Sequence, residues 1–359
     1  MDAFFSDKLT TKADCDRFAE KRFGGPVRPV SFQGAFSYTV TAGNGKVIVQ
    51  FRVRSSPLPD PNAQLFQAFT NAHPGLVALH QRAGAVGALE VYSMPKLQGD
   101  TFVQASESFY LKPNRRVVLA EELAKFFVRS LQVAQNSISI GPKERGRIYS
   151  ACLARLENLW TTLPKFRSAV EHVRNHIDTF FNPHTGYPLV PVHGDLSSLN
   201  ILVNKTTGNL TGVIDLAELS FLPFGFDFYA VDNIVGEWSP NGWTEFANAA
   251  AVRAHFWATL VSLAQLSDAE VQNIKVAWLA GILFRYGTRF DAGFPGMVGL
   301  LNDNNSMGTQ MLDGLIVDGC CTAAAVPPTT TPDIVVAPPV AAAPANDLPP
   351  CSSAGTLAI

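Results

Sequence analysis

The sequence is poor in charged residues and has no marked excess of either sign. Charged residues make up 16% of the 359 residues, whereas a typical globular domain has roughly 25%. The 28 Lys and Arg residues nearly balance the 30 Asp and Glu residues, which leaves a net charge of -2. Such a chain has no dominant basic surface for a phosphate backbone, and aromatic and basic residues are too seldom interleaved to form a base-stacking platform. We therefore expect no nucleic-acid partner.

Cysteine pairs and long apolar runs are lacking as well. The five cysteines form no C-x-x-C pair and no metal-type spacing, which favours a reducing compartment over a secreted disulfide framework. No stretch of 18 uncharged apolar residues predicts a membrane span, and the charged N-terminal stretch lacks the apolar core of a signal peptide. We therefore expect a cytoplasmic protein with no membrane partner, present as a monomer or weak dimer.

Several common catalytic motifs are absent too. No G-x-S-x-G stretch is present, so a hydrolase nucleophile elbow has little support. The stretch GNGK at 43–46 lacks the G-x-x-x-x-G-K-[ST] pattern of a phosphate loop and is typical of a hairpin turn. His172 and His176 stand four apart on a predicted helix, but without the Glu of the zincin pattern, so a solvated helix face explains them.

The patterns that are present divide the chain into two lobes. Strand signals dominate residues 27–98, where runs rich in Val, Thr, Tyr and Phe flank the Asn-Gly turn and a further strand is predicted over 88–94. Helix signals dominate residues 99–317, led by apolar residues at three- and four-residue spacing from Leu119 to Ala134. The predicted fold class is therefore α+β, with a small β-rich N-lobe and a larger, mainly helical C-lobe. Further helices are predicted over 149–160, 168–180, 243–266 and 269–286.

Two terminal segments complete this division. Residues 1–26 are predicted to be a helical lead-in to the N-lobe. Residues 318–359 are rich in Pro, Ala and Thr, offer few large side chains for packing and are predicted to be disordered. The tail could be a passive extension or a flexible partner-binding segment, and its composition favours the passive extension.

One segment of the C-lobe carries residues suited to phosphoryl transfer. His193-Gly194-Asp195 follows an apolar run, Asn200 comes five residues after Asp195, and Asp215 follows a predicted hairpin of strands 201–203 and 210–214. The hairpin brings Asn200 and Asp215 side by side. Because Mg²⁺ prefers hard oxygen ligands completed by substrate phosphates, this pair suits a magnesium site.

The spacing of these residues matches a known catalytic loop. Asp195 and Asn200 stand as in the H-R-D-x-x-x-x-N loop of kinases, where the Asp orients the acceptor hydroxyl and takes its proton. Asp and Asn also cap turns beside strands. However, several residue types at two fixed spacings are hard to obtain from turns alone.

The stretches HGDLSSLNILV, GVIDLAE and LPFGFDF together resemble the aminoglycoside phosphotransferase and choline kinase type of small-molecule kinase, within the protein-kinase-like superfamily. The match is strongest over 193–228, extends more loosely over 27–300 and is similar to a divergent subgroup common in fungi. The resemblance implies a bilobal protein-kinase-like fold that binds ATP between its lobes, uses Mg²⁺ and phosphorylates a hydroxyl of a small molecule.

The resemblance also implies roles for individual residues. His193 would brace the catalytic loop, Asp195 would be the catalytic base, and Asn200 and Asp215 would ligate magnesium. Asp227 resembles the acidic residue that the family has after its proline-containing loop, although a helix N-cap explains it equally well.

Candidate nucleotide-binding residues in the N-lobe are less distinct. Gly34 would let the backbone approach phosphate and Ser37 could donate a hydrogen bond, but a plain strand turn is also compatible. Gln50 stands where the family has Lys or Arg, and Arg52, on the same face of the strand, could supply that cation or could be a solvated surface residue. Met94 fits the hinge strand beside adenine, or ordinary core.

Two functions are therefore open at this point. The first is an ATP- and Mg²⁺-dependent phosphotransferase that acts on a hydroxyl of a small molecule. The second is a catalytically impaired, kinase-like binding or scaffold protein, suggested by Gln50 and by the scarcity of an acidic partner for the missing cation, since Asp60 is the sole acid over 53–89. Candidates for acceptor binding are Phe224, Trp238, Trp243, Arg285, Tyr286 and Asp291.

Overall fold

The structure is a computed structural model that describes residues 2–5, 10–137, 140–289, 299–300, 307–317 and 320–321. Residues 1–326 form one compact unit, which contains both lobes, and residues 327–359 form a second unit that lies outside the described residues. Most of the tail predicted over 318–359 therefore lies outside them as well. Its described residues, Cys320–Cys321, pair with Ile316–Val317 as short antiparallel strands.

The N-lobe is built on an antiparallel sheet. The elements of this lobe are α1 (Asp2–Phe5), α2 (Lys12–Phe23), β1 (Arg28–Pro29), β2 (Ser37–Ala42), β3 (Val47–Arg52), α3 (Gln64–Ala72), β4 (Gln81–Val86) and β5 (Leu89–Pro95). In the described part of the chain, the strands of the sheet run in the order β1-β2-β3-β5-β4.

Alternation along the strands gives this sheet two different faces. On one face, apolar side chains such as Tyr38, Val49 and Phe51 are buried, and α2 covers them with Cys15 and Ala19. The other face carries polar side chains of the same strands and turns toward the C-lobe, where Arg52 of β3 bonds to a C-lobe carboxylate. The sequence therefore places the polar face of the sheet over the cleft.

The structure corrects two elements of the sequence prediction. The sequence predicts one strand over 88–94, but over 81–95 the structure has a hairpin of β4 and β5, because the short and mostly exposed stretch QRAGAV gives no apolar alternation. The helix predicted over 243–266 begins only at Ala249, since Gly242–Glu245 pairs as a strand with Gly236–Ser239.

The C-lobe is mainly helical and is organised around one long helix. This helix, α5 (Asn114–Ser137), buries the predicted stripe of Leu119, Leu123, Phe126, Phe127 and Leu131, and burial of each side chain contributes about 1.5–3 kcal/mol. The elements are β6 (Asp100–Thr101), α4 (Phe102–Leu111), α5 (Asn114–Ser137), α6 (Pro142–Thr162), α7 (Arg167–Phe181), β7 (Leu189–Val192), β8 (Ile201–Val203), β9 (Leu210–Val213), β10 (Ser220–Pro223), α8 (Tyr229–Val235), β11 (Gly236–Ser239), β12 (Gly242–Glu245), α9 (Ala249–Ala264), α10 (Asp268–Gly287), β13 (Thr288–Arg289), β14 (Gly299–Leu300), α11 (Met307–Leu315), β15 (Ile316–Val317) and β16 (Cys320–Cys321).

Short strands carry the predicted catalytic segment. Strand β7 leads into it and pairs with β10, and β8 and β9 form the predicted hairpin. The backbone N–H of Val213 in β9 donates to the carbonyl of Leu76, 2.8 Å away, in the segment that follows α3. The hairpin is therefore fastened to the N-lobe as well as to the C-lobe. The small N-lobe sheet and the mainly helical C-lobe confirm the predicted α+β fold.

Candidate active site

His193 joins the two halves of the candidate site. Its ring is fully buried, and its Nε2 donates to the carbonyl of Ile214 at 2.8 Å, while its Nδ1 accepts the backbone N–H of Asp195 at 3.2 Å. These two partners assign the ring hydrogen to Nε2. One side chain thus holds the loop that carries Asp195 against the backbone that precedes Asp215.

Asp227 holds the same loop through hydrogen bonds from the backbone of that loop. Its carboxylate accepts the backbone N–H groups of His193, at 2.7 Å, and Gly194, at 3.3 Å. It lies inside the short 3-10 helix Phe226–Phe228, whose N-cap is Gly225, so the N-cap interpretation of Asp227 is wrong. Burial raises the pKa of this carboxyl, and the two backbone N–H donors act in the opposite direction.

The loop itself is compact because of a glycine. Gly194 has a φ of 82°, in the left-handed region that favours glycine. A Cβ at this position would also run into the backbone carbonyl of Glu218. The close passage of these two backbone segments requires the missing side chain at Gly194.

Asn200 is oriented by the carboxylate that it follows in sequence. Its Nδ2 donates to the Asp195 Oδ2 at 3.0 Å and to the Asp195 carbonyl at 2.8 Å. This leaves the Oδ1 of Asn200 on the other side of the amide, where it takes no hydrogen bond from any described residue. The amide therefore presents a hard oxygen of the kind that Mg²⁺ accepts.

Asp215 has an unusual backbone conformation. Its φ of 62° and ψ of 72° place a non-glycine residue in the left-handed region, a conformation that costs about 1–3 kcal/mol and clusters at functional sites. The backbone N–H of the preceding Ile214 donates to the carbonyl of Asn200 at 3.0 Å, as expected for residues that flank one hairpin. The structure thus brings Asn200 and Asp215 together at the ends of β8 and β9.

Arg52 reaches this pair from the N-lobe. Its Nη1 donates to the Asp215 Oδ1 at 3.0 Å and to the Gln50 Oε1 at 3.3 Å, and its Nε and Nη2 donate to the carbonyl and hydroxyl of Ser56. The side chain is only 2% exposed, so the interpretation as a solvated surface arginine is wrong. The shared face of Gln50 and Arg52 is confirmed by their hydrogen bond.

The other candidate residues of the N-lobe lie around the same face. Gly34 and Ser37 lie in and beside the loop between β1 and β2, where Gln33 bonds to both backbone groups of Thr39 at 2.8 Å. The φ of Gly34 is not positive, so its backbone does not require glycine. Met94 is half-buried on β5, directly opposite Ile48 of β3.

Arg285 of α10 contacts Asp195 directly. Its Nη2 donates to the Asp195 Oδ1 in an ion pair. The neighbouring Tyr286 donates its hydroxyl to Asn233 at 2.9 Å, and Asn233 in turn donates to the carbonyl of Leu196 at 3.3 Å. The end of α10 is therefore tied to the catalytic loop at two points. The sequence marked Arg285 and Tyr286 only as acceptor candidates.

Glu218 is a site residue that the sequence analysis missed. It lies three residues after Asp215, and its Oε2 is buried without a hydrogen-bond partner in the described part of the chain. Its pKa is raised to about 7, chiefly by burial and also by the charge of Asp195, while the charge of Arg285 acts in the opposite direction. The signal was available in the motif GVIDLAE, which includes this acid.

The remaining acceptor candidates lie elsewhere or outside the described residues. Phe224 is buried in the C-lobe core against Phe228. Trp238 donates its indole N–H to Gln310 at 2.7 Å, and Trp243 pairs with it across the β11–β12 hairpin. Asp291 lies outside the described residues.

The donor set limits what kind of metal could bind. Among the described residues, no group of three or more His, Cys, Asp or Glu side chains could hold a metal ion. A closed structural metal site is therefore not present in this part of the chain. Asn200 and Asp215 fit a magnesium ion that takes its other ligands from water and phosphate oxygens, as Mg²⁺ commonly does.

Comparison with known proteins agrees with this geometry. The profile of the phosphotransferase enzyme family matches residues 26–264, which include every residue of the cluster described above except those on α10. The chain belongs to this family. It is accordingly a phosphotransferase of the small-molecule kinase type, and the predicted family resemblance is confirmed.

Solved structures of the same kind are similar at low sequence identity. A gentamicin-bound aminoglycoside phosphotransferase is 16% identical, with a TM-score of 0.43 over 77% of this chain and 89% of that chain. Choline kinase from Cryptosporidium parvum is 11% identical, with a TM-score of 0.46 over 77% and 88%. An aminoglycoside phosphotransferase from Streptomyces rimosus with ADP and streptomycin is 13% identical, with a TM-score of 0.43 over 71% and 91%. These values carry no inference about the acceptor.

Two further searches gave no match. No curated protein is significantly similar in sequence to this chain. Within the described residues, no helix combines the length and apolar character that crossing a bilayer requires.

Proposed function

We propose that the protein transfers the γ-phosphate of ATP to a hydroxyl of a small molecule, with Mg²⁺ as cofactor. The observation that carries this proposal is the joint arrangement of Asp195, Asn200 and Asp215. His193 fastens the loop of Asp195 to the backbone before Asp215, and Asn200 bonds directly to Asp195. This constellation suits phosphoryl transfer, which depends on positioning and charge neutralisation more than on covalent chemistry.

Each residue of the cluster has a distinct role in this proposal. Asp195 would accept the proton of the acceptor hydroxyl as the new O–P bond forms and the bond from the γ-phosphorus to the ADP oxygen breaks. Asn200 and Asp215 would hold Mg²⁺, which supplies neutralisation of the phosphate charge. Arg52, which lies against Asp215 on the nucleotide side, is the cation nearest to where the phosphates would bind.

The position of Arg52 also bears on the alternative function. The idea of a catalytically impaired binding protein rested on Gln50 at the place of the expected cation and on the scarcity of an acidic partner for that cation. Because Arg52 bonds to both Gln50 and Asp215, a cation is available one pleat further along the strand. Gln50 therefore gives no reason to favour loss of catalysis.

The proposal is tested by ADP release from MgATP in the presence of a panel of small hydroxyl compounds. We expect turnover with at least one acceptor, and a loss of about 100-fold or more in kcat for Asp195→Asn, since a positioned base contributes about 10²–10⁴-fold. MgATP binding should survive in that variant. The matched control is Asp313→Asn, which removes an exposed carboxylate paired with Lys165 on the surface and should leave kcat unchanged.

Two results would overturn the proposal. One is normal turnover in Asp195→Asn, which would remove the assigned base. The other is the absence of MgATP binding in the wild-type protein at millimolar concentration, which would favour the binding or scaffold function.

A further inference from the structure

Both oxygens of the Asp195 carboxylate are engaged by the protein. Arg285 donates to Oδ1 from α10, and Asn200 donates to Oδ2 from within the loop. The Asp195 and Arg285 side chains are 25% and 23% exposed, so both reach solvent at the same place. An acceptor hydroxyl within hydrogen-bond distance of Oδ1 would therefore lie beside the guanidinium.

The guanidinium is held at this position by its own helix. Tyr286, the next residue on α10, bonds to Asn233, which bonds to the carbonyl of Leu196 in the catalytic loop. These contacts fix the end of α10 relative to Asp195. The position of Arg285 beside Asp195 is therefore fixed by the contacts of its helix with the loop.

The described charges around Asp195 do not favour a cationic acceptor. The charges that act on Glu218 are those of Asp195, Asp215, Arg285 and Arg155. Asp215 is paired with Arg52, so with Glu218 three acids face three cations. Another carboxylate of the C-lobe, Asp232, is fully buried and held by Arg253 at 3.0 Å and by the indole N–H of Trp278 at 2.8 Å. A positively charged acceptor would meet no excess of acid here, whereas it would approach a fixed guanidinium.

We propose that the acceptor carries an acidic group, a carboxylate or a phosphate, close to the hydroxyl that reacts, and that Arg285 binds this group. This inference rests on the proposed phosphotransferase function and names its substrate class. A guanidinium has five N–H donors and pairs with oxo-acids in a planar, two-pronged geometry.

The test compares acceptors that differ only in charge. Glycerate and malate represent the hydroxycarboxylates and glycerol 3-phosphate the phosphates. Glyceramide and malamide are the neutral counterparts, and choline and kanamycin are the cations. ADP release from MgATP is measured, with ³¹P NMR to identify the product.

We expect kcat/KM for an acidic acceptor to exceed that of its neutral counterpart by about 100-fold or more, because a site built to pair a polar group rejects the analogue that lacks it. The carboxylate and phosphate arms show which acid group is used.

The variant Arg285→Gln isolates the side chain. We expect the ratio of kcat/KM for the acidic acceptor to kcat/KM for its neutral counterpart to fall to about 10 or less. The change should come mainly from a higher KM for the acidic acceptor, while the KM for MgATP changes little. Arg285→Lys, which keeps the charge, should retain part of the preference. The control Arg147→Gln removes an exposed arginine paired with Glu144 on α6 and should change neither value. Thermal unfolding of each variant establishes that it is folded.

The outcomes separate this inference from the function on which it rests. If MgATP is bound and the wild-type protein phosphorylates neutral or cationic acceptors as well as acidic ones, the inference is wrong and the phosphotransferase function stands. If MgATP is bound and no acidic acceptor is turned over, the inference is wrong, and turnover of a neutral or cationic acceptor decides whether the phosphotransferase function stands. If MgATP is not bound, the proposed function is wrong and the inference falls with it.

Discussion

Arg52 and Asp215, 163 residues apart in sequence, form an ion pair with 3.0 Å between Nη1 and Oδ1. Arg52 lies on the N-lobe sheet, and Asp215 follows the C-lobe hairpin. The pair therefore links the two lobes at the point where the proposed magnesium site meets the nucleotide side of the cleft. This contact supports the proposed nucleotide site in a sequence that has Gln50 where the family has Lys or Arg.

Replacement of Arg52 should affect both stability and nucleotide binding. In Arg52→Gln, the carbonyl of Ser56 and the carboxylate of Asp215 lose their charged donor. We expect the free energy of unfolding to fall by about 2–3 kcal/mol, less than for a fully buried pair because Asp215 is 33% exposed and can be hydrated. Urea denaturation measures this change, and the KM for MgATP should rise.

The matched control for this variant is Arg54→Gln. Arg54 is an exposed arginine two residues further along the same segment, and its replacement should cost less than about 0.5 kcal/mol. Equal effects of the two replacements would contradict the role assigned to Arg52.

The close passage at Gly194 makes a second prediction. In Gly194→Ala, the methyl group would enter the space of the Glu218 carbonyl. The alanine would also have to adopt a left-handed backbone conformation. We expect a loss of more than about 2 kcal/mol in unfolding free energy, together with a lower kcat because the loop of Asp195 must shift.

Gly186→Ala separates the two causes. Gly186 has a φ of 68° and a Cβ there would meet nothing within 4 Å, so its replacement should cost only the conformational term of about 1–2 kcal/mol and leave kcat unchanged. If Gly194→Ala behaves like Gly186→Ala in both measurements, the close passage has no functional role.

Glu218 makes a prediction about pH in the metal-free protein. Burial raises its pKa to about 7 from an ordinary value of 4.5, so between these values the folded protein binds more protons than the unfolded chain. The free energy of unfolding must then fall as pH rises through this window, by up to about 3 kcal/mol. Urea denaturation at several pH values from 4.5 to 8, with EDTA present, measures this dependence.

Comparison with Glu218→Gln isolates the contribution of this carboxyl. The variant cannot titrate at position 218, so its stability should fall less steeply over the same pH range. Parallel curves for the two proteins would show that Glu218 titrates normally and would contradict the described environment.

The sequence predicted the parts of the site that depend on local spacing. Asp195, Asn200 and Asp215 stand at the ends of short strands within one segment, so the hairpin pattern was enough to predict that Asn200 and Asp215 meet. The contact between Arg285 and Asp195 could not be predicted in this way. Helical periodicity indicates which face of α10 is buried, but it does not indicate which loop that face meets.

The elements that were predicted wrongly have similar explanations. Strand β4 is mostly exposed and contains no large apolar residue, so no alternation marks it. Trp243 resembles the apolar start of a helix, but it pairs across a hairpin with Trp238. In both places cross-strand pairing decides the structure, and pairing partners are not visible in a local pattern.

The most direct test of the whole account is the effect of MgATP on thermal unfolding of the wild-type protein and of Asp215→Asn. Ligand at about 100 times its Kd should stabilise the native state by roughly 2.7 kcal/mol. The account requires a rise in Tm with MgATP that is lost when EDTA replaces Mg²⁺ and is absent in Asp215→Asn. An equal rise in both proteins, or no rise in the wild-type protein at millimolar MgATP, would contradict it.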